Sequence, residues 1–191
     1  MLLLANIRRL VKKKFSNHPD RFVHTLGVVK MAKHLAKQYG INKKKAMIAA
    51  YLHDFCKYDS IEYVSSLLDA DELAECQISN VLYHSYGSAK YYLKYIGNDM
   101  DVFNAIKNHV FGRLYMSKLE EIILISDYTE ENRKYESCIQ CREILLSGDL
   151  DFAIYQSTKN VISFLTNKGI KPHPTQYEVL KLYEGKCRKW C

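Results

Sequence analysis

Glycine and proline are scarce in this chain, eight and three of 191 residues, and no stretch alternates apolar with polar residues over the length of a strand. A fold of many short strands, which needs such punctuation between them, is excluded. Long apolar runs are missing too. Met1 to Ala5 is apolar, but Asn6, Arg8 and Arg9 interrupt it before it reaches the length of a signal-peptide core, and no membrane span follows. The six cysteines (Cys56, Cys76, Cys138, Cys141, Cys187, Cys191) lack the dense spacing of a disulfide framework, so reduced thiols in a cytoplasmic protein are expected. Cys138 and Cys141 form the one C-x-x-C, and without a second pair a structural zinc site is not expected there. Internal repeats, low-complexity tracts and linkers are absent.

Acidic residues are the minority charge, and the resulting net charge of +7 suits an anionic partner. The basic runs Lys12 to Lys14 and Lys43 to Lys45 are far apart and carry no interleaved aromatic ladder, so they read as solvated helix ends and not as a nucleic-acid surface. Apolar and charged fractions of 48% and 26% belong to a soluble globular protein. The length fits a single domain over 1–191, and a homodimer is compatible with it.

What is present is helical periodicity, with apolar residues recurring at spacings of three and four. The expected fold is an all-α bundle. One helix should open at His18-Pro19-Asp20 and close at Tyr39-Gly40, and a second should run from Asn42 to His53. Further helices are expected over about 79–95, over about 101–109 with His109 on the apolar stripe, and from Ser117, whose pairing with Glu120 is a capping-box pattern. That last helix carries Leu119, Ile123 and Asp127 one turn apart. Packing helices should follow over about 137–146 and 149–167, with a final one capped by Thr175 and Glu178.

The chemistry concentrates in a few residues. His53 and Asp54 are adjacent, and adjacent helical residues do not face the same way, so both reach one ion only at a helix end. Imidazole plus carboxylate suits a divalent transition ion such as Fe, Mn, Co, Ni or Zn, whereas Mg prefers oxygen throughout. Asp127 lies among Ile122, Ile123, Leu124 and Ile125, where a carboxylate needs a cationic partner. Taken singly, Asp127 reads equally as a capping or salt-bridged residue, and His24, His84 and His109 as core histidines. Their conjunction on separate predicted helices has no shared structural explanation.

The order His24, His53-Asp54, Asp127 resembles the H…HD…D signature of HD-domain phosphohydrolases, and His84 and His109 resemble the extra histidines of its binuclear members. Arg21-Phe-Val-His-Thr-Leu-Gly27, Leu52-His-Asp-Phe-Cys-Lys57, Asn108-His-Val-Phe-Gly-Arg113 and Ser126-Asp-Tyr-Thr-Glu-Glu-Asn-Arg133 are similar to motifs of the YqeK-type bacterial family of symmetrical diadenosine tetraphosphate hydrolases. The likeness runs from about His18 to Lys171-Pro-His-Pro-Thr175. It departs from the family where Thr129 to Arg133 lacks a Pro-Gly and where Cys56 stands in place of alanine.

That resemblance implies an HD bundle with a motif-bearing core over about 18–133, packing helices over about 137–190, and a metal site between helices. It implies two ions, iron foremost: His24, His53, Asp54 and Asp127 hold one, His84 and His109 the second, and Asp54 bridges them. Asp54 and Lys57 would be catalytic, and Arg21, Lys57, Arg113 and Arg133 would meet the phosphates of a dinucleotide cleaved to two ADP. By position alone Lys57 reads equally as a solvated lysine and Gly112 as a helix C-cap. Phe111, Tyr115 and Tyr128 are candidates for stacking on a base, with core packing the default for any one of fifteen tyrosines. The competing readings are an HD-type nucleotidase or other nucleotide pyrophosphohydrolase, and a non-catalytic nucleotide- or RNA-binding module.

Overall fold

The computed structural model describes residues 2–187. Cys191 and the end of the 137–190 packing region therefore lie outside the described residues. Among the described residues there are eleven helices and no strand.

The first helix, α1 (Leu2–Lys14), is an element that sequence periodicity left unassigned. Ile7, Val11 and Phe15 recur every four residues and are buried, so this helix lies on the core against α3 (Lys43–Leu52). Lys12, Lys13 and Lys14 form its last turn, where cations complement the helix dipole, and Lys14 pairs with Asp59. α2 (Pro19–Gln38) starts on its proline and ends at Tyr39, with Gly40 at φ +68° turning the chain away. α3 is capped by Asn42, whose side chain accepts from the amides of Lys44 and Lys45. Its Ala46, Ala49 and Ala50 are fully buried, and these small side chains let α2 and α3 approach closely. His53 is the residue that ends α3.

Two short helices, α4 (Ile61–Ser65) and α5 (Ala70–Ile78), were also not foreseen. They displace the start of the next one: Ser79 ends α5 in extended conformation, so α6 (Leu82–Tyr95) begins three residues late. α7 (Met100–Lys107) is capped by Asp99 and stops short of His109, which was expected on its stripe. The chain turns instead, with the Gly112 amide donating to Asn108 O and Gly112 at φ +70°. α8 (Lys118–Thr129) opens on the Ser117–Glu120 capping box as expected.

α9 (Glu136–Leu146), α10 (Leu150–Asn167) and α11 (Pro174–Cys187) close the chain. The expected Thr175–Glu178 box does not form, because Pro174 takes the first helical position. The capping contacts therefore fall earlier: the His173 amide donates to Gln176 Oε1, and His173 Nδ1 accepts from the Thr175 amide. The His173 ring stacks on Phe111, 4.7 Å between centroids, which ties the start of α11 to the turn after α7.

Helices α2, α3, α7 and α8 pack on one another, α6 covers α7, and α10 joins α9 and α11 to α8. Leu35, Leu52, Ile106, Ile122 and Ile123, from four helices, are fully buried in one core. Gly87 in α6 shows how tightly it is filled: a Cβ there would sit 2.7 Å from Val64 Cγ1. Gly to Ala inside an exposed helix stabilises by about 1 kcal/mol. Here the neighbour is a stiff, buried β-branched side chain. Gly87→Ala is therefore expected to lower the thermal midpoint, and a higher midpoint in calorimetry would contradict this account of the packing.

Candidate metal centre

Five elements bring six side chains to one point. His24 comes from the second turn of α2, His53 and Asp54 from the end of α3, His84 from the first turn of α6, His109 from the turn after α7, and Asp127 from the last turn of α8. All four histidines and Asp54 are buried. Asp54, 3% exposed, divides its oxygens between two sets of neighbours. Its Oδ2 receives a 2.6 Å hydrogen bond from Arg21 Nη1 and lies 3.4 Å from His53 Nε2 and 4.0 Å from His24 Nε2. Its Oδ1 lies 3.0 Å from His84 Nε2, 3.6 Å from His109 Nε2 and 3.6 Å from Lys57 Nζ. Asp127 Oδ1 is 3.0 Å from His24 Nε2 and 3.9 Å from His53 Nε2.

The far side of three rings is tied down. His53 Nδ1 lies 2.7 Å from Ala50 O, His109 Nδ1 lies 2.8 Å from Ile106 O, and His24 Nδ1 lies 3.2 Å from Glu130 Oε1. A ring nitrogen held against a backbone carbonyl carries the proton, so the Nε2 of His53 and of His109 is left with a lone pair directed at Asp54. At His24 burial pulls the ring's pKa down but Asp127 and Glu130, one at each nitrogen, raise it, and an ion at Nε2 would stand where that proton does. Burial pushes His53 down against the pull of Asp54, and burial pushes His84 down to about 4, so both are neutral at physiological pH. Burial opposes ionisation of Asp54 and Asp127 as well. The imidazoles of His53, His109 and His84 around Asp54, and Arg133 with His24 beside Asp127, outweigh it and hold both carboxyls well below their ordinary value.

Lone pairs facing anionic oxygens repel unless a cation stands between them. His24 Nε2 and His53 Nε2 are buried with no hydrogen-bond partner, as ligand atoms awaiting an ion would be. Two triads have ligand atoms mutually within 4.8 Å, His24–His53–Asp127 and His53–Asp54–His109. The donor set, imidazole nitrogen with carboxylate oxygen, fits a divalent cation. The cysteines do not compete: Cys141 Sγ donates to Ala153 O, and burial pushes its thiol up to about 12, far from the thiolate that zinc requires.

The HD domain family model matches residues 21–132, the span that carries all six side chains. The chain belongs to the HD-domain family. It is 32% identical over 170 residues to the symmetrical bis(5'-nucleosyl)-tetraphosphatase of Bacillus subtilis (strain 168), covering 87% of this chain and 90% of that protein. To the protein of the same name from Halalkalibacterium halodurans it is 36% identical over 170 residues, covering 87% and 89%. A crystal structure of a predicted HD superfamily hydrolase involved in NAD metabolism from Clostridium acetobutylicum superposes with a TM-score of 0.82 at 30% identity, covering 93% of this chain and 97% of that one.

Around the HD centre the expected basic residues divide. Lys57 Nζ is 3.3 Å from His84 Nε2, and Arg21 holds Asp54, so both belong to the cluster. Arg133 donates from Nη2 to Asp127 Oδ1 (2.8 Å) and from Nε to Asp127 O (2.7 Å), where only a phosphate contact had been foreseen. Arg113 is set apart. Its Nε and Nη2 fork grips Glu120 at 2.7 and 2.8 Å, so its guanidinium clamps the start of α8 and forms no ion pair with the cluster. Tyr115 is 81% exposed and Phe111 is spent on His173; Tyr128 lines a cavity beside the centre.

Sequence reading missed Glu130. It lies within a quoted motif, is 1% exposed, and orients His24 through Nδ1 while its Oε2 accepts from the Asn132 amide and side chain. The signal was a carboxylate three residues past Asp127, just outside a helix end, but nothing in one sequence pairs it with a histidine 106 positions earlier. Gly27 makes room for it. A Cβ there would collide with Glu130 Oε2 and stand 2.9 Å from Asn132 Nδ2. Gly27→Ala should thus favour the helix by propensity yet dislodge the carboxylate that aims His24, lowering metal affinity about 10–100-fold. Competition with a chelator dye measures it, and wild-type affinity in a folded Gly27→Ala variant would remove Glu130 from the centre.

Proposed function

We propose that this protein is a cytoplasmic hydrolase that cleaves diadenosine tetraphosphate symmetrically to two ADP, using two divalent transition ions of which iron is the foremost candidate. The observation that carries the reading is the division of Asp54, one oxygen toward His24 and His53 and the other toward His84 and His109. A carboxylate placed between two imidazole sets is suited to bridging two cations. The relatives named for the symmetrical reaction supply the substrate class.

His24, His53, Asp54 and Asp127 would hold the first ion, and His84, His109 and the other Asp54 oxygen the second. Ions held there would supply a water of lowered pKa and positive charge against the phosphates. The protein's own contribution is placement. The Nδ1 contacts to Ala50, Ile106 and Glu130 lock the rings of His53, His109 and His24, so little reorganisation accompanies the reaction. Arg21 and Lys57 bring positive charge to opposite oxygens of Asp54, and Arg133 does so at Asp127, so a phosphate chain crossing the centre meets cationic side chains along it. Water adds to one of the two central phosphorus atoms, the bridging P–O bond between them breaks, and the departing oxygen leaves on the second ADP.

Incubation of the metal-loaded enzyme with diadenosine tetraphosphate in oxygen-labelled water should yield ADP alone, with one label per substrate cleaved, by chromatography and mass. Equal ATP and AMP would exclude symmetry, and activity confined to mononucleotides would favour a nucleotidase. His53→Ala should lose bound metal by elemental analysis and more than about a hundredfold in turnover, since even residues behind the ligands are worth 10–100-fold. Near-normal turnover in that variant would overturn the centre.

A further inference from the structure

Beyond the span matched by the HD family, α9, α10 and α11 help to wall a cavity of about 490 Å³, inside the size range of small-ligand sites. His109, Asp127 and Arg133 are part of its lining, so it adjoins the metal centre. A neighbouring cavity of about 620 Å³ contains none of the six metal-centre residues in its lining and has no such access.

The lining of the first cavity carries aromatics that core packing does not explain. Tyr128 is half-buried with its hydroxyl on Ser137, as an ordinary packed tyrosine would be. Tyr135 and Phe164, however, line the cavity while 74% and 60% exposed. Leaving two large rings in water forgoes the burial that a core position provides, and their place at the rim of a chamber next to a phosphate-handling centre suits a flat heterocycle held by stacking. Thr158 on α10, by contrast, is buried, lines the same space and makes no side-chain hydrogen bond among the described residues. It offers a hydroxyl to the edge of whatever enters.

We infer that this chamber receives one purine nucleoside of the dinucleotide, with Tyr135 and Phe164 as base-stacking residues and Thr158 as an edge contact. The inference rests on the proposed reaction and adds the residues that hold its substrate. The phosphate chain then leaves the chamber past Arg133 and Asp127 toward the histidines. Specificity for a nucleoside would in this way come from the C-terminal helices, and the chemistry from the HD core.

The test is steady-state kinetics on diadenosine tetraphosphate, with ADP binding by equilibrium dialysis as a readout independent of turnover. Tyr135→Ala and Phe164→Ala should each raise KM and weaken ADP binding by about tenfold, the scale of one lost base-stacking contact, with melting temperature and metal content unchanged because both side chains are exposed. Phe152→Ala, an aromatic on the same helix outside the chamber, should leave both unchanged. Wild-type KM and ADP affinity in both chamber variants would overturn the inference while leaving the reaction intact. If the wild-type protein fails to cleave the dinucleotide, the reaction falls, and the ADP-binding comparison still decides the chamber.

Discussion

Asp54 is buried as an anion with imidazole nitrogens on both sides, and such a carboxylate is destabilising by several kcal/mol unless positive charge is kept against it. Arg21 meets that demand at one oxygen and Lys57 approaches the other. The histidine lone pairs add a demand that side-chain cations alone leave unmet, because His24 Nε2 and His53 Nε2 have no hydrogen-bond partner. A divalent ion between lone pairs and carboxylates resolves both. The rest of the bundle follows from holding that arrangement: α2, α3, α7 and α8 pack on one another with alanines and isoleucines, which makes the ends they present rigid.

Orientation comes from elements that do not themselves face an ion. The carbonyls of Ala50 and Ile106 each lie three residues before the histidine they fix, so a helix end supplies both an unsatisfied acceptor and the ring that uses it. Glu130 does the same for His24 across the bundle, in a space that exists because position 27 has no side chain. Arg142 in turn donates to the carbonyls of Thr129, Glu130 and Arg133, pinning the segment that follows α8. The chain of support therefore runs from α9 through that segment to His24.

The C-terminal helices serve a second purpose. An HD centre treats phosphates alike whatever they are attached to, since cations and guanidinium groups see charge and not the base. Discrimination requires walls of another chemistry. α9 and α10 bring aromatic rings and hydroxyls beside the centre, and α11 is locked in place by the His173–Phe111 stack and by Tyr183, whose hydroxyl donates to Glu121.

Much of this was legible in one dimension. Helical periodicity, the Ser117–Glu120 box, Pro19 and Asn42 located the main helices, and ligand-type residues on apolar stripes marked five of the elements that meet at the centre. α1 escaped because its short amphipathic stripe of Ile7, Val11 and Phe15 begins in an apolar stretch that also resembles a truncated leader. His109 was placed on α7, which stops two residues before it at Lys107, because the apolar stripe runs on to His109 while the backbone has already entered the turn that the Gly112 amide closes on Asn108 O. Arg113 and Arg133 looked equivalent, each a few residues beyond a candidate ligand, yet one grips Glu120 and the other Asp127. By itself the sequence determined the helical class and the ligand chemistry, since periodicity and residue type are local properties. Only the tertiary structure decided which oxygen of Asp54 faces which histidines, that Glu130 aims His24, and which arginine reaches the centre, because those choices depend on distances between side chains that packing alone brings together.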